Sequence, residues 1–196
     1  MYTVYGKPMT RTFRVLWMLE EIGAEYNLVP AAPRSPEVTA LNASGKVPVL
    51  QVEGDYVTDS TAIMTFLGDR HRALTHKAGT VARAQQDAAT HLLLDELDAV
   101  LWTAARHSFI LPEEQRHPGV KDSLKWEFAG NAARLAERID GPYLCGGQMT
   151  IADIICVHCL NWAIGAKFPL ENQILADYAK GIRAREAFQR VRAMAS

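Results

Sequence analysis

The sequence predicts an α/β domain followed by an all-α domain. Across the first 70 residues the hydrophobic pattern alternates between strand-like and helix-like stretches, whereas from about Val81 onward every periodic stretch is helical. The change of pattern falls near residues 71–80. We therefore predict one domain at residues 1–72 and a second at residues 80–196, with a short linker between them.

Short apolar runs and turn residues define the elements of the first domain. Strands are expected at Tyr2–Tyr5, Tyr26–Val29, Val47–Val52 and Tyr56–Thr58, the last two joined as a hairpin by Glu53-Gly54-Asp55. Helices are expected at Arg11–Ile22, ended by Gly23, and at Ser60–Leu67, with Asp59 or Ser60 as the cap. Three closely spaced prolines predict an irregular stretch with one helical turn around Glu37–Leu41.

In the second domain, one apolar stripe predicts a helix that is packed on the core. Its members recur at steps of three and four residues, and the helix is expected to end at Gly141-Pro142. The members of the stripe are Leu124, Phe128, Ala132, Leu135 and Ile139.

The cysteines indicate neither a disulfide framework nor a metal site. Cys156 and Cys159 form a Cys-x-x-Cys pair, but the pair falls in the middle of a predicted helix, whereas redox pairs of this type lie at a helix start. With Cys145 they make only three cysteines, too few for the framework of a secreted protein. We expect all three to be reduced and no metal to be bound.

The composition excludes several classes of function. Of the 196 residues, 48% are hydrophobic and 22% are charged, as in globular proteins. Lysine and arginine together number 21 against 22 acidic residues, so no net field favours nucleic acid or anionic lipid. No apolar run approaches the roughly 20 residues of a membrane span, and Met1–Arg11 lacks the apolar core of a signal peptide. We expect a cytoplasmic protein that binds neither nucleic acid nor membrane.

Three segments of the first domain carry candidate chemistry, and the first is Gly6–Thr12. It joins a predicted strand to a predicted helix and places Thr10 and Thr12 at the helix start. A hydroxyl at that position can cap the helix, or it can donate a hydrogen bond to an anion near the positive helix end.

The second segment, Gly45–Val49, places a proline at the start of a strand. A cis Val47-Pro48 bond would turn the chain and leave the Val47 N–H and C=O able to pair with an extended peptide. A trans bond would only begin an edge strand.

The third segment, Thr58–Ile63, leads from a strand into a helix. Ser60 and the N–H groups of the helix can bind a carboxylate, while Asp59 can bind an ammonium. The two charges together are those of an α-amino acid group. Either residue can also act as an ordinary helix cap.

Together these segments resemble the glutathione transferase family, and the resemblance covers the whole chain. The signatures are Gly-Lys-Val-Pro at Gly45–Pro48, Asp-Ser-Thr-Ala-Ile at Asp59–Ile63, and Gly146–Asp153, which resembles the family's capping-box motif with Thr150 as the cap. The resemblance implies a thioredoxin-like first domain, an all-helical second domain and a homodimer.

The resemblance also implies how glutathione would bind, as a co-substrate with no other cofactor. The cysteinyl backbone would pair with Val47 beside Pro48. The γ-glutamyl end would meet Asp59 and Ser60. The glycyl carboxylate would lie toward Lys46, whose ammonium suits that role.

Family members handle the glutathione sulfur with a tyrosine, serine or cysteine near the first strand and helix. Here Thr10 holds the serine's place in a pattern that resembles Gly-x-Pro-x-Ser, with Arg14 four residues later. Tyr5, at the end of the first strand, is the rival, and Thr12 is a third candidate. Arg11 would border the sulfur, while Arg14 would be structural.

The activity that the resemblance implies is conjugation of the glutathione thiolate to small hydrophobic electrophiles. The electrophile would bind between the domains, against Trp102, His107 and Phe109, although Trp102 and Phe109 could instead be core residues. The alternatives are a glutathione-dependent peroxidase, isomerase or dehalogenase, and a non-catalytic binding or assembly module built on the same fold.

Overall fold

The computed structural model of the protein describes residues 1–195. The α/β part contains β1 Tyr2–Tyr5, α1 Thr12–Ile22, β2 Tyr26–Val29, α2 Pro36–Leu41, β3 Val49–Val52, β4 Asp55–Thr58 and α3 Ser60–His71. The helical part contains α4 Val81–Leu92, α5 Ala99–Ala105, α6 Val120–Ala136, α7 Ile151–Gly165, α8 Gln173–Arg183 and α9 Glu186–Met194. All predicted strands are present, although β3 begins at Val49 rather than Val47, and α3 continues to His71 rather than Leu67.

The strands form one mixed sheet in the order β2-β1-β3-β4. β1 is parallel to β2, while β3 is antiparallel to both β1 and β4. Val4 and Leu50 lie directly opposite each other and are fully buried, so their face of the sheet is the core face. Because side chains alternate along a strand, Tyr5 and Gln51 point to the other face.

Helix α1 is the central helix of the α/β unit. Its run of five apolar residues from Val15 to Leu19 is completely buried, and it contacts α3 as well as the sheet. It ends at Gly23, whose φ of 64° is left-handed and whose N–H returns to Glu20 and Leu19 carbonyl oxygens. Glycine tolerates this conformation without the steric penalty that a Cβ carries.

The chain forms two compact units, and the last helix belongs to the first of them. The first unit comprises Met1–Arg83 and the described residues from Arg183 onward, and the second comprises Ala84–Ile182. The sequence prediction had placed residues 80–196 together in the second domain. The difference arises because α9 packs on α1, with the Phe188 ring 4.9 Å from the Trp17 ring and 5.4 Å from the Phe13 ring.

In the second unit the helix that was predicted from the apolar stripe is α6. Leu124, Phe128, Ala132 and Leu135 are buried in it, as the stripe predicted. The predicted end at Gly141-Pro142 is wrong, because α6 ends at Ala136 and Ile139 lies beyond it. There the chain tightens into turns in which Arg138 and Ile139 donate to carbonyl oxygens three residues back.

Helix α7 begins with the predicted capping box. The Thr150 N–H donates to Asp153 Oδ2 at 2.7 Å, and the Thr150 hydroxyl accepts the Ala152 N–H at 3.3 Å. Tyr178 donates to Asp153 Oδ1 at 2.7 Å. Burial raises the pKa of the Asp153 carboxyl although these donors oppose the rise. The motif therefore organises the fold of the helical unit.

Cys156 and Cys159 are buried in the middle of α7, as predicted, and all three cysteines are free thiols. Burial raises the pKa of the Cys145 and Cys156 thiols, which disfavours the reactive thiolate at both. Within residues 1–195 there is no cluster of three or more metal-ligating side chains. Over the same residues, no helix combines the length and apolar character needed to cross a membrane.

Candidate functional site

The register of the sheet brings the three candidate segments to one edge. Tyr5, the last residue of β1, pairs with Val49, the first residue of β3, and Val49 pairs with Thr58, the last residue of β4. These three residues therefore form one row at the same end of the sheet. The segments that follow Tyr5 and Thr58, and the segment that precedes Val49, all lie at this end. The segments at this end are Gly6–Thr12, Gly45–Pro48 and Asp59–Ser60.

The Thr10 hydroxyl is hydrogen-bonded inside its own loop. Its Oγ1 lies 2.8 Å from the Lys7 carbonyl oxygen and 2.9 Å from Thr12 Oγ1, and it accepts the Thr12 N–H at 3.2 Å. Arg11 occupies the N-cap position of α1, with no side-chain capping bond. The Thr10 hydroxyl therefore binds the N–H of the first residue of α1, although the N-cap position itself is occupied by Arg11. A bound sulfur would receive the Thr10 proton only after the hydroxyl turns away from the loop.

Thr12 is completely buried and is held against Gly6. Gly6 has φ of 144°, and a Cβ added there would lie only 2.1 Å from Thr12 Oγ1. Any larger residue at this position would clash with Thr12 and would also be strained by the positive φ. Glycine is therefore required for both reasons. Thr12 thus supports the loop beneath Thr10 and has no exposed surface for a ligand.

The Tyr5 phenol contacts the neighbouring strands on the face of the sheet opposite the core. It donates to Gln51 Oε1 at 3.1 Å, and Gln51 Nε2 in turn donates to the Tyr56 hydroxyl at 3.3 Å. Gln51 and Tyr56 were not singled out from the sequence. The pairing of Gln51 with Tyr56 depends on the strand register, which is a tertiary property.

The Val47-Pro48 bond is cis. Val47 is half-buried and lies two residues before the first β1–β3 pair, so its backbone lies beyond the ladder. The loop before it is held by Asn42, whose Nδ2 donates to the Lys46 carbonyl oxygen at 2.9 Å. The Lys46 side chain is exposed. The Gly45–Pro48 segment therefore presents the Val47 backbone and the Lys46 ammonium group at this end of the sheet.

Asp59, rather than Ser60, is the N-cap of α3. Its Oδ1 accepts the Thr61 N–H at 2.8 Å and the Ala62 N–H at 3.0 Å. Both bonds go to one carboxylate oxygen, so Oδ2 of this exposed residue remains able to accept from an ammonium. Ser60 is the first residue of the helix and is buried. The cap and the predicted ligand contact are therefore compatible on the same carboxylate.

The two arginines near Thr10 differ in exposure. Arg14 is completely buried in α1, whereas Arg11 is half-buried at the helix start. A buried guanidinium cannot contact a ligand without rearrangement, while a half-buried one at the loop can.

The candidates from the helical unit lie on one continuous stretch of helix. Trp102 is half-buried in α5, and His107 and Phe109 lie in the π-helical turn Arg106–Ile110 that continues it. Phe109 is 67% exposed and Trp102 is only half-buried, so neither is a core residue, contrary to the alternative from the sequence. His107 Nδ1 accepts the His117 N–H at 3.2 Å, which leaves Nε2 of the neutral ring as a donor.

Similarity to known proteins is found over both units. The family profile described as glutathione S-transferase, N-terminal domain, matches residues 9–70. Glutathione S-transferase 1 of Triticum aestivum is 30% identical over 172 residues, with 77% of this chain and 74% of that protein covered. Glutathione S-transferase GstA of Escherichia coli O157:H7 is 27% identical over 164 residues, with 78% of each chain covered.

A solved structure shows the same fold. The structure of glutathione transferase URE2P8 from Phanerochaete chrysosporium, determined with oxidized glutathione, has a TM-score of 0.84 at 20% identity and covers 98% of this chain and 93% of that chain. The predicted fold class, a thioredoxin-like unit followed by helices, is thereby confirmed.

Proposed function

The chain belongs to the glutathione transferase family, and we propose that it conjugates the glutathione thiolate to small hydrophobic electrophiles. The observation that carries the proposal is the row Tyr5, Val49 and Thr58, which brings a hydroxyl loop, a backbone edge and a capped helix start to one end of the sheet. All three segments are the ones in which the sequence resembles the family. That URE2P8 was solved with oxidized glutathione supports the tripeptide as the ligand of this chain as well.

Each part of the tripeptide has a complementary group at this end of the sheet. The cysteinyl N–H and C=O would pair with the Val47 backbone, as an added strand does. The γ-glutamyl ammonium would bind Asp59 Oδ2, and its carboxylate would lie at Ser60 and the start of α3. Lys46 would bind the glycyl carboxylate. The site would thus hold the sulfur beside the Gly6–Thr12 loop.

To activate the sulfur, the site must bind the glutathione thiolate modestly better than the neutral thiol. A free thiol with a pKa of about 8.5 is mostly protonated at neutral pH, and lowering this pKa by about two units corresponds to roughly 2.7 kcal/mol. One hydroxyl hydrogen bond to a charged acceptor supplies about 1.5–3 kcal/mol, and a helix N-terminus adds up to about 1 kcal/mol. Thr10 at the start of α1 could therefore supply the whole preference, with Arg11 beside it.

The reaction that follows uses only the bound thiolate as nucleophile. The sulfur forms a bond to the electrophilic carbon, the leaving group departs with the bonding electron pair, and the thiol proton has already passed to solvent. The protein forms no covalent intermediate. Trp102, His107 and Phe109 remain our candidates for binding the electrophile.

One observation favours a second candidate, a module that binds glutathione without activating it. The Thr10 hydroxyl already has two acceptors within the loop, the Lys7 carbonyl and Thr12, and a sulfur would have to compete with both. Such a module would retain the Val47, Asp59 and Ser60 contacts and lose only the shift in thiol pKa.

The test is a pH titration of the ultraviolet thiolate absorbance of glutathione, bound and free. We expect the bound thiol to have a pKa well below that of free glutathione. Saturable binding with an unshifted pKa would favour the binding module instead. Failure of the purified protein to bind glutathione would contradict both candidates.

The family membership also leads us to propose a homodimer. Light scattering on the purified protein measures its mass directly, and a value near twice 21.7 kDa is expected.

A further inference from the structure

Two threonine hydroxyls lie together at the start of α1, and one of them is sealed from solvent. Thr12 is completely buried, and its Oγ1 lies 2.9 Å from Thr10 Oγ1. On its other side Thr12 packs against Gly6, where an added Cβ would overlap Thr12 Oγ1. The position of the Thr12 hydroxyl is therefore fixed, and its proton needs an acceptor within the protein rather than water.

Only one arrangement of this loop uses the hydroxyl protons of both Thr10 and Thr12. The Lys7 carbonyl oxygen lies 2.8 Å from Thr10 Oγ1 and carries no proton, so it can only accept. If Thr10 donates to Lys7, Thr12 can donate its own proton to Thr10 Oγ1. If Thr10 donated to Thr12 instead, the Lys7 oxygen would lose this bond and the Thr12 proton would be turned away from Thr10. The donors are therefore ordered from Thr12 to Thr10 to Lys7.

This arrangement occupies the Thr10 oxygen fully as an acceptor. A hydroxyl oxygen has two lone pairs. Thr10 Oγ1 accepts the Thr12 N–H at 3.2 Å and, with the donors ordered in this way, the Thr12 O–H as well. Its own proton is then the part of this hydroxyl that can turn to a ligand. A thiolate accepts that proton strongly, whereas a neutral thiol accepts it only weakly and finds no lone pair for its S–H.

We infer that Thr12 is a positioning residue of the sulfur site: its bonds to Thr10 Oγ1 leave Thr10 able only to donate, so that Thr10 binds the thiolate in preference to the thiol. The inference rests on the proposed function and specifies how the site selects the thiolate. When the thiolate binds, the Thr10 proton turns from the Lys7 oxygen to the sulfur, and the bonds from Thr12 remain. The thiol proton passes to solvent. Because hydrogen bonds in a chain polarise one another, the Thr12 bond also strengthens Thr10 as a donor.

Thr12→Val tests the inference, because valine keeps the shape of threonine and removes the hydroxyl. The measurement is a pH titration of the ultraviolet thiolate absorbance of bound glutathione. We expect the pKa of the bound thiol to rise toward that of free glutathione, because Thr10 regains a lone pair that can accept from the neutral thiol. A residue that only supported the fold would change the stability of the protein without moving this pKa.

Conjugation gives a second measurement, with benzyl chloride as the electrophile. The glutathione sulfur forms a bond to the benzylic carbon while the carbon–chlorine bond breaks and chloride leaves with the electron pair. Rates are corrected for the uncatalysed reaction with free glutathione. At neutral pH, Thr12→Val is expected to lower kcat/KM by about 2- to 10-fold, the loss typical of one neutral hydrogen bond.

Matched variants separate the hydroxyl from the rest of the Thr12 side chain. Thr12→Ser keeps the hydroxyl and is expected to retain the low thiol pKa. Thr39→Val makes the same change in α2, where the hydroxyl donates to the Ser35 and Pro36 carbonyl oxygens, and is expected to leave the pKa unchanged. Because Thr12 acts through Thr10, Thr12→Val is expected to have no further effect on the pKa in a Thr10→Val background. A further effect there would overturn the inference.

The direction of the pKa change distinguishes the two orders of donors. If Thr12 accepted from Thr10, Thr12→Val would release the Thr10 proton and lower the pKa of the bound thiol. Either that result or an unchanged pKa in Thr12→Val would overturn the inference and leave the proposed function in place.

The proposed function can also fail separately. A low thiol pKa that depends on Thr12, in a protein that conjugates no electrophile, would support the inference and contradict the proposed function. An unshifted thiol pKa in the unchanged protein would contradict both. If circular dichroism shows that Thr12→Val is unfolded, Thr12→Ala, which also removes the hydroxyl, takes its place in the titration.

Discussion

The Nε and Nη2 atoms of Arg185 each lie 2.7 Å from a carboxylate oxygen of Glu21, Oε1 and Oε2 respectively. This paired contact joins the start of the last helix to the end of α1. The Trp17 indole N–H also donates to Glu21 Oε1 at 3.0 Å. Because the Glu21 side chain is only 7% exposed, it depends on these donors in place of water.

We predict that Arg185→Leu destabilises the protein by about 2–3 kcal/mol, because it leaves a nearly buried carboxylate without its cation. Urea unfolding measures the change. Arg190→Leu is the matched control, since its pair with Glu20 is more exposed and is expected to contribute less to stability. A larger loss for Arg190→Leu than for Arg185→Leu would contradict the prediction.

We expect Glu20 to make the free energy of unfolding depend on pH in the acid range. Burial raises its pKa, but the hydrogen bonds from Arg190 and Tyr26 and the Arg190 charge outweigh burial, so the pKa lies below its ordinary value. The folded state then holds fewer protons than the unfolded state as pH falls, so the stabilisation is present at neutral pH and is lost in acid.

Glu20→Gln is therefore expected to be less stable than the unchanged protein at neutral pH, with a difference that narrows as the pH falls below about 4.5. Urea unfolding at a series of pH values measures this difference. Tyr26→Phe removes only one of the donors and should show a smaller effect of the same sign. A difference that stays constant or widens in acid would show that Glu20 is not stabilised as a carboxylate.

Thr10 and Tyr5 are compared most directly by removing one hydroxyl at a time. We predict that Thr10→Val lowers kcat/KM for conjugation by about 10- to 100-fold, because it removes the proposed hydrogen bond to the thiolate. Tyr5→Phe should have little effect, since the Tyr5 hydroxyl donates to Gln51 on the face of the sheet and does not lie at the start of α1. A large loss of kcat/KM in Tyr5→Phe with little loss in Thr10→Val would instead assign activation of the sulfur to Tyr5. If neither substitution lowered kcat/KM, neither hydroxyl would activate the sulfur.

Asp59 has two proposed roles, and two substitutions separate them. Asn can still cap α3 but cannot neutralise an ammonium, so Asp59→Asn is expected to raise the KM for glutathione with little change in melting temperature. Asp59→Ala should raise the KM and also cost about 1 kcal/mol of stability through the lost cap. An unchanged KM in both variants would show that Asp59 serves only as the cap.

Local signals in the sequence correctly predicted the elements that local chemistry specifies. Gly23 ends α1 and Thr150 begins α7 as expected, because a left-handed turn and a capping box involve only a few adjacent residues. The end of α6 was predicted less well. Ile139 continues the apolar spacing of the stripe, but the chain there has already left the helix.

Features that depend on distant parts of the chain were not predictable in the same way. The spacing of apolar residues in α9 indicates an amphipathic helix, but not that Phe188 packs against Phe13 and Trp17. The sequence likewise gives no sign that the Nε atom of Arg106 is buried without a hydrogen-bond partner. The direction of the Thr10 hydroxyl likewise depends on its loop rather than on its position in a motif.

The return of α9 to the first unit has a consequence for synthesis on the ribosome. Chain elongation delivers the sheet, α1 and α3 long before α9 emerges, so the nascent first unit lacks the Phe188 ring that lies against Trp17. Glu21 likewise lacks its Arg185 partner until a further 164 residues have been translated. The first unit thus reaches its finished packing only after α9 has been translated, and a gene fragment that stops at Arg83 encodes it incomplete.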